Sequence, residues 1–179
     1  MTVTITALAD DQVDALCRLA ADIWRQHYPL LIGAAQTEYM LAQRYVPAVV
    51  RTELAQGDIW WDVLRESGEI IAFASSFRTS AATEVKLDKL YVDSARQRKG
   101  YGGMLVAHTC ERAKRLGCDK VILAVNKRNS SAIAAYRKHG FRIREAIVKD
   151  IGGGFVMDDY IMEKSVSSGW ADERTARER

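Results

Sequence analysis

The segment from Leu90 to Gly103 holds the residue types most able to do chemistry. An apolar, strand-like stretch, Leu90, Tyr91 and Val92, leads through Gln97, Arg98 and Lys99 to Gly100, Gly102 and Gly103, which open an apolar helical pattern. Glycines at the start of a helix let an anion approach backbone N–H groups closely. The positive end of the helix dipole adds to the attraction. Such a turn suits a pyrophosphate. Two other phosphate patterns fail here. A dinucleotide fingerprint needs a further glycine where Leu105 stands, and a P-loop needs Lys-Ser/Thr where Tyr101 follows Gly100. From Lys86 to Lys99, five basic residues (Lys86, Lys89, Arg96, Arg98, Lys99) stand against two acidic ones, Asp88 and Asp93. That local excess suits a multiply phosphorylated ligand. Tight helix packing beside a solvated basic turn explains the same residues without a ligand.

Two further groups carry titratable side chains. Asn129, Ile133, Tyr136 and Gly140 share one helix face by their spacing. A phenol on that face can point at a ligand, or it can be a core aromatic with its hydroxyl satisfied. Glu84, Lys86 and Asp88 alternate along one face of a strand. A carboxylate there can take the proton of an ammonium group. It can equally be a solvated strand-face charge paired with Lys86 or Lys89.

The segment Gln97-Arg98-Lys99-Gly100-Tyr101-Gly102 resembles the Arg/Gln-x-x-Gly-x-Gly/Ala signature of the GNAT superfamily of acetyl-CoA-dependent N-acetyltransferases. Asn129 to Phe141 resembles that family's second signature, Asn-x-x-Ala-x-x-x-Tyr-x-x-x-Gly-Phe. The two stand in the family's order, separated by a helical and a short apolar segment.

The resemblance implies acetyl-CoA as co-substrate and assigns roles to residues. Backbone amides from Arg98 to Gly103 would hold the pyrophosphate, with Gln97 at the head of the turn. The backbone of Leu90, Tyr91 and Val92 would pair with the pantetheine arm like an added strand, and one amide there would stabilise the oxyanion. Asn129 would contact the cofactor or order the loop before its helix. Tyr136 would protonate the leaving thiolate. Asp88 and Glu84 are the nearest carboxylates for a general base, with Lys86 where some relatives carry Glu. Direct transfer is implied, because no cysteine lies on these motifs. The acceptor is expected to be a primary amine of a small, cationic molecule such as a polyamine. A protein lysine or N-terminal amine is the alternative, and a CoA-binding regulator or inactive relative is the alternative from another class. Trp24, His27, Tyr28, Glu38, Tyr39, Asp158, Asp159 and Tyr160 fall in the segments that shape the acceptor site of the family. Dimers are common in it, so a homodimer is one expected assembly, though nothing in the sequence marks an interface.

The elements that must position these residues alternate between strand and helix. Strands are expected over Thr2–Leu8, Ile59–Leu64, Ile70–Phe77, Val85–Val92 and Val121–Val125, with a final hairpin of Phe141–Val148 and Phe155–Met162. Val121–Val125 is apolar throughout, the pattern of a strand buried on both faces. Val13, Leu16, Cys17, Ala20, Ile23 and Trp24 form a helical stripe that Asp10 or Asp11 can cap. Thr37 can cap a second helix running to about Tyr45, and Pro47 starts another ending near Gly57. Further helices run from about Gly102 to Leu116 and from Ser130 to His139. With the resemblance, this order implies an α/β fold of GNAT type: three layers, with a mixed, mostly antiparallel twisted sheet between helices. The cofactor would enter where Val85–Val92 and Val121–Val125 splay apart. An acetyltransferase domain is expected over 1–164 and a C-terminal extension over 165–179.

Composition sets the outer bounds. The 179 residues fit one domain. A formal charge of +3, from 26 Lys+Arg against 23 Asp+Glu, is too balanced for a dedicated nucleic-acid binder. Cys17, Cys110 and Cys118 form no CxxC pair, and the histidines lack ligand spacing, so neither disulfides nor a metal site is expected. No apolar run is long enough to span a membrane. The location expected on these grounds is cytoplasmic.

Overall fold

The computed structural model describes residues 2–166. Strand β1 (Val3–Ala7) is followed by four helices, α1 (Val13–His27), α2 (Pro29–Ile32), α3 (Ala34–Arg44) and α4 (Pro47–Gln56). Then come β2 (Ile59–Glu66), β3 (Glu69–Arg78), β4 (Glu84–Val92), α5 (Tyr101–Arg115), β5 (Lys120–Asn126), α6 (Ser130–Lys138), β6 (Arg142–Gly152) and β7 (Phe155–Ser165). The strands form one seven-stranded sheet in the order β1-β2-β3-β4-β5-β7-β6. Every neighbouring pair is antiparallel except β4 with β5. Among the described residues no helix is long and apolar enough to cross a membrane.

Each face of the sheet carries a helical layer because each layer has its own apolar stripe. Val13, Leu16, Cys17, Ala20, Ile23 and Trp24, the stripe of α1, are all buried. They pack with residues of α3 and α4 against Trp61, Val63, Phe73 and Tyr91. Truncating a fully buried leucine such as Leu16 to alanine costs about 2–5 kcal/mol. Leu105, Val106, Cys110 and Ala113 of α5, with Ile133 and Tyr136 of α6, cover the opposite face over Val85, Leu87, Leu90 and Val92.

That set shows that β4 changes sides partway along. Val85 and Leu87 face α5, and so do Leu90 and Val92, although the parity differs. The switch is a β-bulge: Ser75 pairs with Lys89 and Ser76 with Leu87, leaving Asp88 as the extra residue. A bulge bends and further twists its strand. Beyond this point β4 leaves β5. The two strands pair only at Glu84–Lys120, Val85–Val121 and Lys86–Ile122, then diverge into a fork.

Several local expectations need correcting. Asp10 and Asp11 do not cap α1; they lie in a short 3-10 turn, Asp10–Gln12, that runs into it. Thr37 sits inside α3, its hydroxyl donating to the carbonyl of Gly33 at 2.8 Å. Gly33, at φ +85°, breaks α2 from α3 where a side chain would be strained. Strand β5 is not buried on both faces: Ala124 is exposed, because the fork leaves it uncovered. The last strand continues through Ser165, and Val166 is buried, so the sheet runs into the segment expected as an extension. Residues 167–179 lie outside the described residues.

Candidate active site

The fork opens into a cavity of about 1570 Å³. Its walls are β4 from Lys86 to Val92, the turn and first residues of α5, the end of β5, one face of α6, and parts of α1, α3, β6 and β7.

The turn before α5 is built for an anion by backbone conformation. Arg98 has φ +65° and Gly100 φ +86°, both left-handed. Gly100 meets this need without strain; Arg98, which carries a Cβ, holds it at an energetic cost. Alternating backbone handedness curls successive N–H groups into a concave nest. Among the described residues no side chain caps α5, and the first intrahelical bond of its N-terminus is from Met104 to Gly100, so the N–H groups of Tyr101, Gly102 and Gly103 have no helical partner. At Gly103 a Cβ would stand 2.6 Å from the ring of His139, an exposed side chain that would have to swing aside. At Gly102 a Cβ would make only ordinary contact with Leu90 and Val92.

The side chains of this turn mostly point elsewhere. Tyr101 is buried and donates its hydroxyl to Glu66, and Arg96 is ion-paired with Glu66 and Glu69. Gln97 donates to the carbonyl of Val92 at 3.4 Å. Lys86 and Lys89 face the other side of the sheet, beside Asp88. Of the five basic residues counted in the sequence, only Arg98 and Lys99 stand exposed at the turn.

Asn129 caps α6: its Oδ1 accepts from the Ala132 amide at 3.2 Å and from Ser131 Oγ at 3.1 Å. Of the two roles implied for Asn129, this geometry is the loop-ordering one. Tyr136 lines the cavity, its ring set edge-on to Phe141 at 5.7 Å. Burial pushes its phenol up to about 12, so it holds its proton at neutral pH. Among the described residues no protein group is hydrogen-bonded to its hydroxyl. The ring is part core and the hydroxyl is free, so both readings of this residue apply to different atoms.

The two carboxylates expected as bases lie in different surroundings. Glu84 stands before the fork, does not line the cavity, and is bonded to Arg144 at 2.8 Å. Asp88 lines the cavity but is held by Arg44 at 2.6 Å, Lys89 at 2.9 Å and Lys86 at 3.3 Å. Burial alone would raise its proton affinity, but those cations outweigh it and hold the carboxyl well below the usual range. Neither geometry is that of a general base. Lys89 is itself buried, bonded also to Glu53 and set over Trp61 at 4.8 Å, so Asp88 anchors a buried charge network.

A family model for the acetyltransferase (GNAT) family matches residues 15–141. The chain belongs to that family. The GNAT chain is 33% identical over 60 residues to YvbK of Bacillus subtilis, an uncharacterized N-acetyltransferase, a match spanning 34% of this chain and 39% of that protein. Among solved structures it is similar to the PaiA N-acetyltransferase of Thermoplasma acidophilum in complex with coenzyme A. The TM-score is 0.79 at 22% identity, over 92% of this chain and 99% of that one. It is also similar to the ribosomal-protein-S18-alanine N-acetyltransferase of Escherichia coli, with a TM-score of 0.68 at 21% identity over 94% and 96%. These likenesses place the GNAT fold across nearly the whole described chain.

Sequence reasoning missed two features of the GNAT site. Arg44, at the end of α3, has no local pattern that would tie it to Asp88. The β6–β7 hairpin is fastened to α3 by Tyr39, which donates to the Ile151 carbonyl at 2.9 Å, and by Gln36, which donates to that of Val156 at 2.7 Å. The glycine run Gly152–Gly154 was a visible signal for the second of these, since a Cβ at Gly153 would press on the Tyr39 ring at 2.8 Å. His27 and Glu38 were placed near the acceptor; His27 lines the cavity, whereas Glu38 is bonded to Arg25 at the surface.

Proposed function

We propose that this chain transfers an acetyl group from acetyl-CoA to the primary amine of a small molecule. The observation that carries the proposal is the fork: an unpaired strand edge that leads directly to a nest of free backbone N–H groups. The residues present fit coenzyme A. The N–H groups of Tyr101, Gly102 and Gly103, with left-handed Arg98 and Gly100, suit a pyrophosphate. The free edge of Leu90, Tyr91 and Val92 suits the amides of a pantetheine arm. Ala124, exposed on the facing strand, leaves room between them.

When bound, acetyl-CoA supplies an acyl group already activated as a thioester. The chain's own groups do the rest. Backbone N–H groups at the end of β4 are fixed donors for a developing oxyanion, and they need no reorganisation to act. The Tyr136 hydroxyl keeps a proton facing the cavity, available to a departing thiolate.

A small acceptor is supported by the roof over the cavity. Tyr39 and Gln36 fasten the β6–β7 hairpin to α3, and Arg128 donates to the Leu31 carbonyl at 2.9 Å, joining α2 to the loop before α6. A protein acceptor would need an open groove on this side. The three cysteines, all buried and unpaired, accord with a cytoplasmic setting.

Acetyl-CoA is expected to raise the melting temperature, since ligand at a hundred times its Kd stabilises by about 2.7 kcal/mol. A turnover screen over polyamines, amino acids, aminoglycosides and short peptides is expected to find small amines acetylated. No thermal shift at saturation would overturn the whole reading; turnover of peptides alone would overturn the small acceptor.

A further inference from the structure

The cavity contains a second carboxylate whose situation is the reverse of Asp88. Asp159 lies on β7, paired with Asn126 at the very end of β5, where β5 has already left β4. It lines the cavity and is buried at 6% exposure. Its Oδ1 is shut off from water and has no hydrogen-bond partner among the described residues. A buried charged oxygen without a donor is costly, so such a carboxylate takes up a proton more readily than an ordinary one.

The cations around it are committed to other carboxylates. Arg44 from α3 and Lys86 from β4 are ion-paired with Asp88, and Lys127 from the loop after β5 is ion-paired with Asp158. Tyr28, whose own phenol feels the Asp159 charge, faces it from the end of α1. Burial first, then the neighbouring Asp158, raises the proton affinity of Asp159; Lys86, Arg44 and Lys127 pull it down without cancelling the rise.

We propose that Asp159 receives the acceptor's ammonium group and takes its proton before attack. The proposal rests on the acetyltransferase reading above and names the carboxylate that reading lacks. In the step, one N–H bond of the ammonium breaks, its electron pair stays on nitrogen, and the proton passes to the Asp159 carboxylate. The neutral amine then attacks the thioester carbonyl, the C–S bond breaks, and the second proton shed by nitrogen replaces the one that Tyr136 gives to the thiolate. The carboxylic acid returns its proton to water once product leaves. Asp88, pinned by its three cations, is held in its charged form, and it takes up the bonds of Arg44 and Lys86.

The test is Asp159→Asn, with Asp159→Glu beside it and n-butylamine and spermidine as acceptors. Asp159→Asn is expected to keep the acetyl-CoA thermal shift, which separates this proposal from the cofactor reading. At neutral pH its kcat/KM is expected to fall about 100-fold. The wild-type rise of rate with pH should be replaced by one following deprotonation of the free amine, so the deficit narrows at alkaline pH. Asp159→Glu should restore part of the rate. An Asn variant within about threefold of wild type, with the same acidic limb, would overturn the proposal. Carboxyl ¹³C NMR of the wild type, independent of turnover and of the variant's folding, should place the Asp159 midpoint above the ordinary 3.8 and move it when n-butylammonium is added. An ordinary midpoint that the amine does not move would also overturn it.

Discussion

On the α5 side of the fork, the groups aimed at the cavity belong to the backbone. The amides of the nest and the free edge of β4 are set by φ angles, a bulge and glycines, while the neighbouring side chains of Tyr101, Gln97 and Arg96 are turned into bonds with the protein itself. On the β7 and α3 side, the groups aimed at the cavity are side chains. Asp88 and Asp159 share one space and stand in opposite electrostatic states, because one has three cations and the other, among the described residues, has none of its own. Backbone groups make a site whose geometry does not depend on the side chains that flank it. Side chains make a site that can be retuned by exchanging one partner. The difference predicts that damage to the two sides will separate into different measurements.

The largest effect is expected at the charge network on the acceptor side. Asp88→Ala should destabilise the fold by about 3 kcal/mol, since it leaves Lys89 and Arg44 short of a partner in a buried setting. The lowered proton affinity of Asp88 fixes the sign with pH. Its contribution is present above the unfolded value near 3.8 and is lost as pH falls through the lower folded value. Urea unfolding of both proteins at neutral pH and in strong acid checks this; a gap that widens in acid would contradict it. Next comes Tyr136→Phe, expected to lower kcat about 100-fold while the Kd for CoA stays within about twofold. Unchanged turnover would remove Tyr136 from the chemistry.

The cofactor side should fail differently. Gly103→Val crowds the first turn of α5 and displaces the His139 ring, and it should weaken acetyl-CoA binding about tenfold by calorimetry, with the loss in Kd rather than in the pH profile. The smallest effect is expected at the roof. Tyr39→Phe removes one hydrogen bond to the hairpin and should raise the acceptor KM about threefold, leaving CoA affinity alone. Equal losses of acceptor and CoA affinity would mean that the two sides are not separable.

This division also explains what could be read from the residues alone. The α1 stripe from Val13 to Trp24, the glycines before α5 and the Asn129–Tyr136 face are local patterns, and local patterns survive in a sequence. The fork was expected from the family resemblance, but the bulge at Asp88 that bends β4 away has no sequence mark. The strand-face position of Asp88 was legible and its role was not. That role depends on Arg44, 44 residues away on another element, and on Lys89, which the bulge turns to the same side. The helix starts misjudged at Asp10, Asp11 and Thr37 failed for a related reason: chain direction set by packing and by left-handed Gly33 overrode the preference of a capping side chain.

Amide NMR of the ¹⁵N-labelled protein titrated with CoA reports whether the nest and the free β4 edge hold coenzyme A. The largest shifts are expected on the amides of Arg98 to Gly103 and of Leu90 to Val92, with those of β1 and β2 unmoved. Saturating CoA that leaves the Arg98–Gly103 amides unshifted would contradict it.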